Sequence, residues 1–200
     1  MTRFLKSSIA ATALMLASTT AFAADQYSFD AGHSEITAAF NHSGISTQTI
    51  KFETFDGTIM IDKENPANSQ VDVTIDTASV RTNIEVFNGH LQGGDFFDSE
   101  NHPQATFKST SVKQTGADIY TIVGDLTIKG NTQPVTLTAV KTFEGEHPLG
   151  QFIDVYKGAQ YLGFRITGDL LRSDFGLGKY APLTSDNVNI VINTELAKAK

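Results

Sequence analysis

The stretch that decides the fold is Tyr120-Thr121-Ile122-Val123-Gly124-Asp125-Leu126-Thr127-Ile128-Lys129-Gly130-Asn131-Thr132-Gln133-Pro134-Val135-Thr136-Leu137-Thr138-Ala139. On either side of Lys129-Gly130-Asn131 every second residue is apolar, or glycine, and the residues between are mostly polar. A period of two sends successive side chains to opposite faces of a pleated strand. The polar, glycine-bearing break reads as a turn. Two half-buried strands joined by a short turn form an antiparallel hairpin with one dry face.

The same alternation recurs outward from this hairpin. Ile36, Ala38 and Phe40 carry it upstream, as do Val71, Val73 and Ile75; Phe164, Ile166, Gly168 and Leu170 carry it downstream, followed by Val188, Ile190 and Ile192. Segments near 27–40, 48–55, 57–62, 70–76, 104–114, 118–128, 133–145, 156–171 and 187–196 give about eight or nine strands. That number fits an all-β closed antiparallel barrel or a sandwich. Between Ser79 and Asp98 the alternation lapses. Ile84, Phe87 and Leu91 stand there at helical spacing, which predicts a short helix over 82–91 lying across one end of the barrel.

Composition agrees. The 200 residues are 40% hydrophobic and 18% charged, with 16 Gly, 14 Phe, no Trp and no Cys, so the core alone must stabilise the chain. A net charge of −7 argues against a nucleic-acid partner, which would need a basic footprint. Arg3 and Lys6 precede an apolar run over 8–17, and Ala21-Phe22-Ala23 has the small-x-small form of a secretory cleavage site. Residues 1–23 are therefore expected to be a signal peptide, leaving one exported domain over 24–200 with a charge of −9. No later run reaches the roughly 18 apolar residues of a membrane-spanning helix.

An eight-stranded barrel either fills its centre or leaves room for a small ligand. Inward-capable positions here mix Phe40, Phe107 and Phe164 with Ala38, Ser109, Gly124, Ala139 and Gly168. That mixture allows a cavity, and it equally allows large and small residues to interlock into a dry core. For a cavity, each buried CH₂ of a guest contributes roughly 0.8 kcal/mol, so a five-carbon isoprene unit contributes about 3–4 kcal/mol before ordering costs. Selectivity then falls to polar groups at the mouth.

The five histidines, His33, His42, His90, His102 and His147, show no zinc spacing, so no metal is expected. Neither a Gly-x-Ser-x-Gly elbow nor a phosphate-cradling loop is present, and a triad assembled from Ser34, His90 and Asp174 has no motif behind it. No cofactor is implied. Two polar-aromatic blocks remain: His90-Leu91-Gln92-Gly93-Gly94-Asp95-Phe96-Phe97-Asp98, and Arg172-Ser173-Asp174-Phe175-Gly176. Read alone, Asp and Gly make turns there while Phe plugs the core.

These blocks carry a resemblance. Together with Asp30-Ala31-Gly32-His33-Ser34, Ile75-Asp76 followed by Ser79, Pro103-Gln104-Ala105-Thr106-Phe107, Gly124-Asp125-Leu126-Thr127-Ile128 and Pro134-Val135-Thr136-Leu137, they make the chain similar to the YceI-like lipid-binding family over essentially all of 24–200. The resemblance implies a lipocalin-like extended antiparallel barrel with an apolar tunnel. It also implies periplasmic location and a polyisoprenoid or other long-chain amphiphilic lipid as ligand, with links to isoprenoid-quinone metabolism.

The binding residues expected on this basis are His33, Ser34, Phe40, Arg81, His90, Leu91, Asp95, Phe96, Phe97, Phe107, Phe164, Arg172, Asp174 and Phe175. Where the family often has an Arg-Asp pair before His-Leu, this chain has Phe87-Asn88, which favours a neutral headgroup unless Arg81 or Arg172 substitutes. The expected role is non-catalytic carriage. A lipid-processing enzyme with a pocket His or carboxylate, and a filled structural barrel, are the competing readings. A homodimer and transient membrane contact through the apolar mouth complete the expectations.

Overall fold

The computed structural model describes residues 24–199. The signal peptide expected over 1–23 lies outside the described residues. The strands are β1 (Asp25–Phe29), β2 (Glu35–His42), β3 (Ser46–Phe52), β4 (Phe55–Ile61), β5 (Gln70–Asp76), β6 (Val80–Arg81), β7 (Gln104–Gln114), β8 (Ile119–Ile128), β9 (Asn131–Glu146), β10 (Gln160–Leu171) and β11 (Thr184–Lys198), with one helix, α1 (Glu85–Gln92), between β6 and β7.

Antiparallel pairing runs β1-β4-β5-β7-β8-β9-β10-β11 and returns from β11 to β1, closing an eight-stranded barrel. Closure removes the unpaired edges that an open sheet would leave to other chains. Strands β2, β3 and β6 prolong three of these staves. The stretch expected as one strand over 27–40 is two, because the turn at Asp30-Ala31-Gly32-His33 breaks it, with the His33 N–H donating to the Asp30 carbonyl at 3.0 Å. The neighbouring staves break at the same height, at Glu53-Thr54 and Thr77–Ser79. Backbone bonds bridge these gaps: the Glu53 N–H donates to the Ser79 carbonyl at 3.2 Å, and the Asp76 N–H to the Thr54 carbonyl at 3.0 Å. The wall therefore bends without losing its hydrogen bonds.

The hairpin that opened the sequence reading forms as expected. Ile128 pairs with Asn131, leaving the two-residue turn Lys129-Gly130, with φ of 50° and 76°. Positive φ at both positions matches the right-handed twist of the flanking strands, and glycine takes the second at little cost.

Because the strands alternate in direction, connections gather at two ends. One, the helix end, collects residues 43–45, 82–103, 129–130 and 172–183; the other, the termini end, collects 62–69, 115–118 and 147–159. Helix α1 is shorter than expected. Leu91 is buried and Phe87 half-buried, but Ile84 is exposed and precedes the helix rather than joining its apolar face. The buried Asn88 fixes this start: its Oδ1 accepts from the Thr82 N–H at 2.7 Å, and its Nδ2 donates to Glu85 at 3.1 Å.

Candidate functional site

Inside the wall lies a cavity of about 380 Å³ walled by inward residues of the closed barrel, among them Ile59, Val73, Phe107, Ile122, Val135, Leu162, Phe164 and Ile166. A second, of about 640 Å³, lies under α1 at the helix end, bounded by Phe40, Phe87, His90, Leu91, Phe96, Phe175 and Leu177. Ala38, Phe52, Phe97, Ile128, Leu170 and Ile190 belong to both, so the two spaces adjoin along one bore, with these side chains forming the waist between them. The reading of a completely filled barrel is set aside by this hollow. Not every small inward residue opens it, however. A Cβ on Gly124 would come within 2.5 Å of the Phe107 ring, and one on Gly168 within 2.5 Å of Leu137 Cδ2. Both glycines are spaces already taken by a neighbouring side chain.

Ten of the residues expected from sequence line this bore: Phe40, His90, Leu91, Asp95, Phe96, Phe97, Phe107, Phe164, Arg172 and Phe175. The other four do not. His33 projects from the turn after β1, 3.2 Å from Asp30, whose hydrogen bond raises the imidazole pKa. Ser34 is not among the lining residues; its hydroxyl is tied to β11, 3.0 Å from the Thr194 hydroxyl and 3.3 Å from the Glu195 carbonyl. Arg81 donates to the Ala78 and Val80 carbonyls and pairs with Glu53 at 3.4 Å. Asp174 is exposed on the turn after β10, where its backbone carbonyl accepts from Gln133. Period-two reading cannot orient these four, because each stands at a break in a strand.

Arg172 reaches the bore but is committed to the fold. Its guanidinium donates to the carbonyls of Ser185 and Thr184, each at 2.8 Å, of Lys179 at 2.8 Å, and of Leu177. Burial lowers its pKa, with nearby Asp186 opposing the shift. It ties the 172–183 loop together rather than offering itself to an anion. Asp95 is likewise engaged: Lys179 Nζ at 2.6 Å and the Tyr180 hydroxyl at 3.0 Å hold its carboxyl below the usual range. His42 and His90, both exposed at the same end, also line it.

Sequence reasoning missed the polar groups at the termini end. Lys63, Lys141 and Glu144 line the bore there, with Asp62, Ser69 and Gln114. The signal was present: the inward register Ile59, Ile61 continues to Lys63, and Val135, Leu137, Ala139 continues to Lys141. Glu144 was hidden by a bulge, since the β9–β10 register shifts between Gly163 and Phe164 and changes the parity of β9.

Outside the wall, Asp30, His33 and Glu195 each bring one potential ligand atom within 4.8 Å of the others. The turn after β1 and strand β11 make this grouping, which linear spacing could not reveal. Tyr161 joins it, its hydroxyl 3.4 Å from Asp30 and its pKa pushed up to about 12 by burial first and by Asp30 second.

A YceI-like domain model matches residues 27–196. The chain belongs to the YceI family. Protein YceI of Escherichia coli O17:K52:H18 (strain UMN026 / ExPEC) is 38% identical over 189 residues, 94% of each chain. Among solved structures, Burkholderia cenocepacia BcnA superposes with a TM-score of 0.73 at 25% identity, covering 84% of this chain and 98% of that one. A polyisoprenoid binding domain from Saccharophagus degradans, implicated in plant cell wall breakdown, shares the fold at a TM-score of 0.61 and 16% identity, covering 86% and 98%. The YceI family's barrel is thus the architecture found here.

Proposed function

We propose that this protein is a periplasmic carrier of a polyisoprenoid or similar long-chain amphiphile, exported by the signal peptide of residues 1–23 and acting without turnover. The observation that carries the reading is the apolar bore, whose two adjoining chambers share six lining residues. A chain threaded through it gains roughly 0.8 kcal/mol for each CH₂ taken from water. Few polar groups interrupt the lining, so the wall selects for greasiness and length rather than for one compound. The polyisoprenoid binding of the Saccharophagus degradans domain is the model for the class of guest.

Loading requires contact with a membrane. Ile45, Val86 and Leu183, each at least 70% exposed, lie on three of the four connections at the helix end. With a net negative chain, adhesion to anionic lipid is weak, and exchange goes through this apolar rim. Pairing of two copies is part of the same proposal and is read by sedimentation of the mature chain.

Native mass spectrometry of protein taken from a periplasmic fraction tests the carrier reading. The expected result is a mass surplus matching a long-chain lipid. Protein that is found in the cytoplasm, or that stays guest-free when offered polyisoprenoids, would overturn it. Turnover of a bound lipid during incubation would favour the enzyme instead.

A further inference from the structure

At the termini end, two ammonium groups close on the Glu144 carboxylate, and Lys141 also pairs with Asp118 at 3.3 Å. Lys63 Nζ lies 2.6 Å from Glu144 Oε1, and Lys141 Nζ lies 2.5 Å from Glu144 Oε2. Lys63 follows β4 and Glu144 lies near the end of β9. Around the closed barrel these two strands are opposite one another, with β5, β7 and β8 between them on one side and β10, β11 and β1 on the other. The Lys63–Glu144 pair therefore spans the mouth rather than joining neighbours along the wall.

A buried hydroxyl lies beside Lys63. Tyr27, on β1, is 1% exposed, and its hydroxyl has no hydrogen-bond partner. It lies close enough to Lys63 to add to the upward shift of that ammonium's pKa, to which Glu144 contributes first.

We infer that this mouth is a headgroup site for amphiphiles bearing a carboxylate or phosphate, and that Glu144 occupies it as an internal stand-in for that anion. The inference rests on the bore being a lipid site. A guest's anion offers Lys63 and Lys141 the same charge-assisted bonds that Glu144 offers. The three side chains are partly exposed, with relative accessibilities of 43%, 22% and 37%, and ion pairs in that setting hold weakly. Exchange at the head is thus nearly balanced, while the tail filling the apolar bore tips it towards the guest. The helix end lacks the equivalent chemistry, because Arg172 is committed to backbone carbonyls and none of the residues lining that chamber is a lysine. A guest so held points its head to the termini end and its tail towards α1.

The test compares dodecanoate, dodecyl phosphate and dodecanol binding to the delipidated mature chain by calorimetry at neutral pH. At least one anion is expected to bind about tenfold more tightly than the alcohol. In Lys63→Gln/Lys141→Gln that preference should fall to near unity with dodecanol affinity unchanged. In Glu144→Gln, which removes the competing carboxylate, anion affinity should rise several-fold. Lys108→Gln, a charge lost from the outer face, should change nothing. Which anion leads assigns carboxylate or phosphate. Equal binding of all three amphiphiles, unaltered in the Lys and Glu variants, overturns the headgroup site alone. Binding of none overturns the lipid reading of the bore as well. Inorganic phosphate binding as well as dodecyl phosphate would reassign the mouth to free anions and overturn the inference.

Discussion

Phe52 and Phe97 meet edge to face at the waist of the bore, ring centroids 5.5 Å apart and planes at 80°. Each ring faces both chambers. They come from opposite kinds of structure, Phe52 from the end of β3 and Phe97 from the loop after α1, so this contact sets how freely the helix end communicates with the barrel centre. An edge-to-face pair is worth about 0.5–1.5 kcal/mol beyond the area it buries.

Replacing Phe97 by Ala should therefore act twice. Loss of a buried ring destabilises the fold by about 3 kcal/mol, measurable as a lower urea midpoint. The opened waist should also raise affinity for long alkyl chains relative to short ones, compared by displacement of a fluorescent fatty acid. An unchanged length preference would mean that the ring does not limit the passage.

Phe164 lines the middle of the barrel, 6.2 Å from Tyr120 between ring centroids. A carboxylate there would be desolvated by any guest tail, so Phe164→Asp should abolish lipid retention in native mass spectra. Full retention by a folded variant would remove Phe164 from the guest's path. Phe107 is a poorer probe, since its ring already fills the space beside Gly124.

Arg172 provides a test of structure rather than of binding. Arg172→Met leaves four backbone carbonyls in the 177–185 region without their donor, and buried acceptors stripped of a charged partner cost about 2–4 kcal/mol in all. Arg172→Lys should recover little, because an ammonium lacks the planar fork. Melting temperatures of the two variants within a degree of wild type would contradict the role given to this side chain.

His33 predicts a pH dependence of stability. Its folded pKa is raised above 6.5 by the hydrogen bond and charge of Asp30, so its contribution is complete below the unfolded value and fades as pH climbs through the folded one. The melting temperature of wild type should exceed that of His33→Gln most at pH 5 and least at pH 8. The opposite trend would mean that the imidazole is held neutral.

Gly124 predicts intolerance. Its absent side chain leaves room for the Phe107 ring, and a Cβ would also come 2.6 Å from the Lys108 carbonyl on the next strand. Gly124→Ala should destabilise by about 1–3 kcal/mol in chemical denaturation, the usual cost of overpacking. A neutral result would imply a looser wall than the contacts indicate.

What the amino-acid order determined by itself was the wall. Period two along β2, β5, β8, β9, β10 and β11 assigned the inward faces, and the Lys129-Gly130 turn joined two of those strands, because both signals are local consequences of backbone geometry. It also placed Phe40, Phe107 and Phe164 on the bore. Tertiary structure alone decided the rest. Arg172 turned inward to backbone carbonyls that lie close in the chain but curl back only in the folded loop, and His33, Ser34, Arg81 and Asp174 fell outside because breaks in the strands reset their facing. Lys63 and Glu144 are 81 residues apart, and only closure of the barrel brings their strands face to face across one mouth. Charge pairing across a closed sheet depends on which strand meets which, and alternation along a single strand carries no record of that.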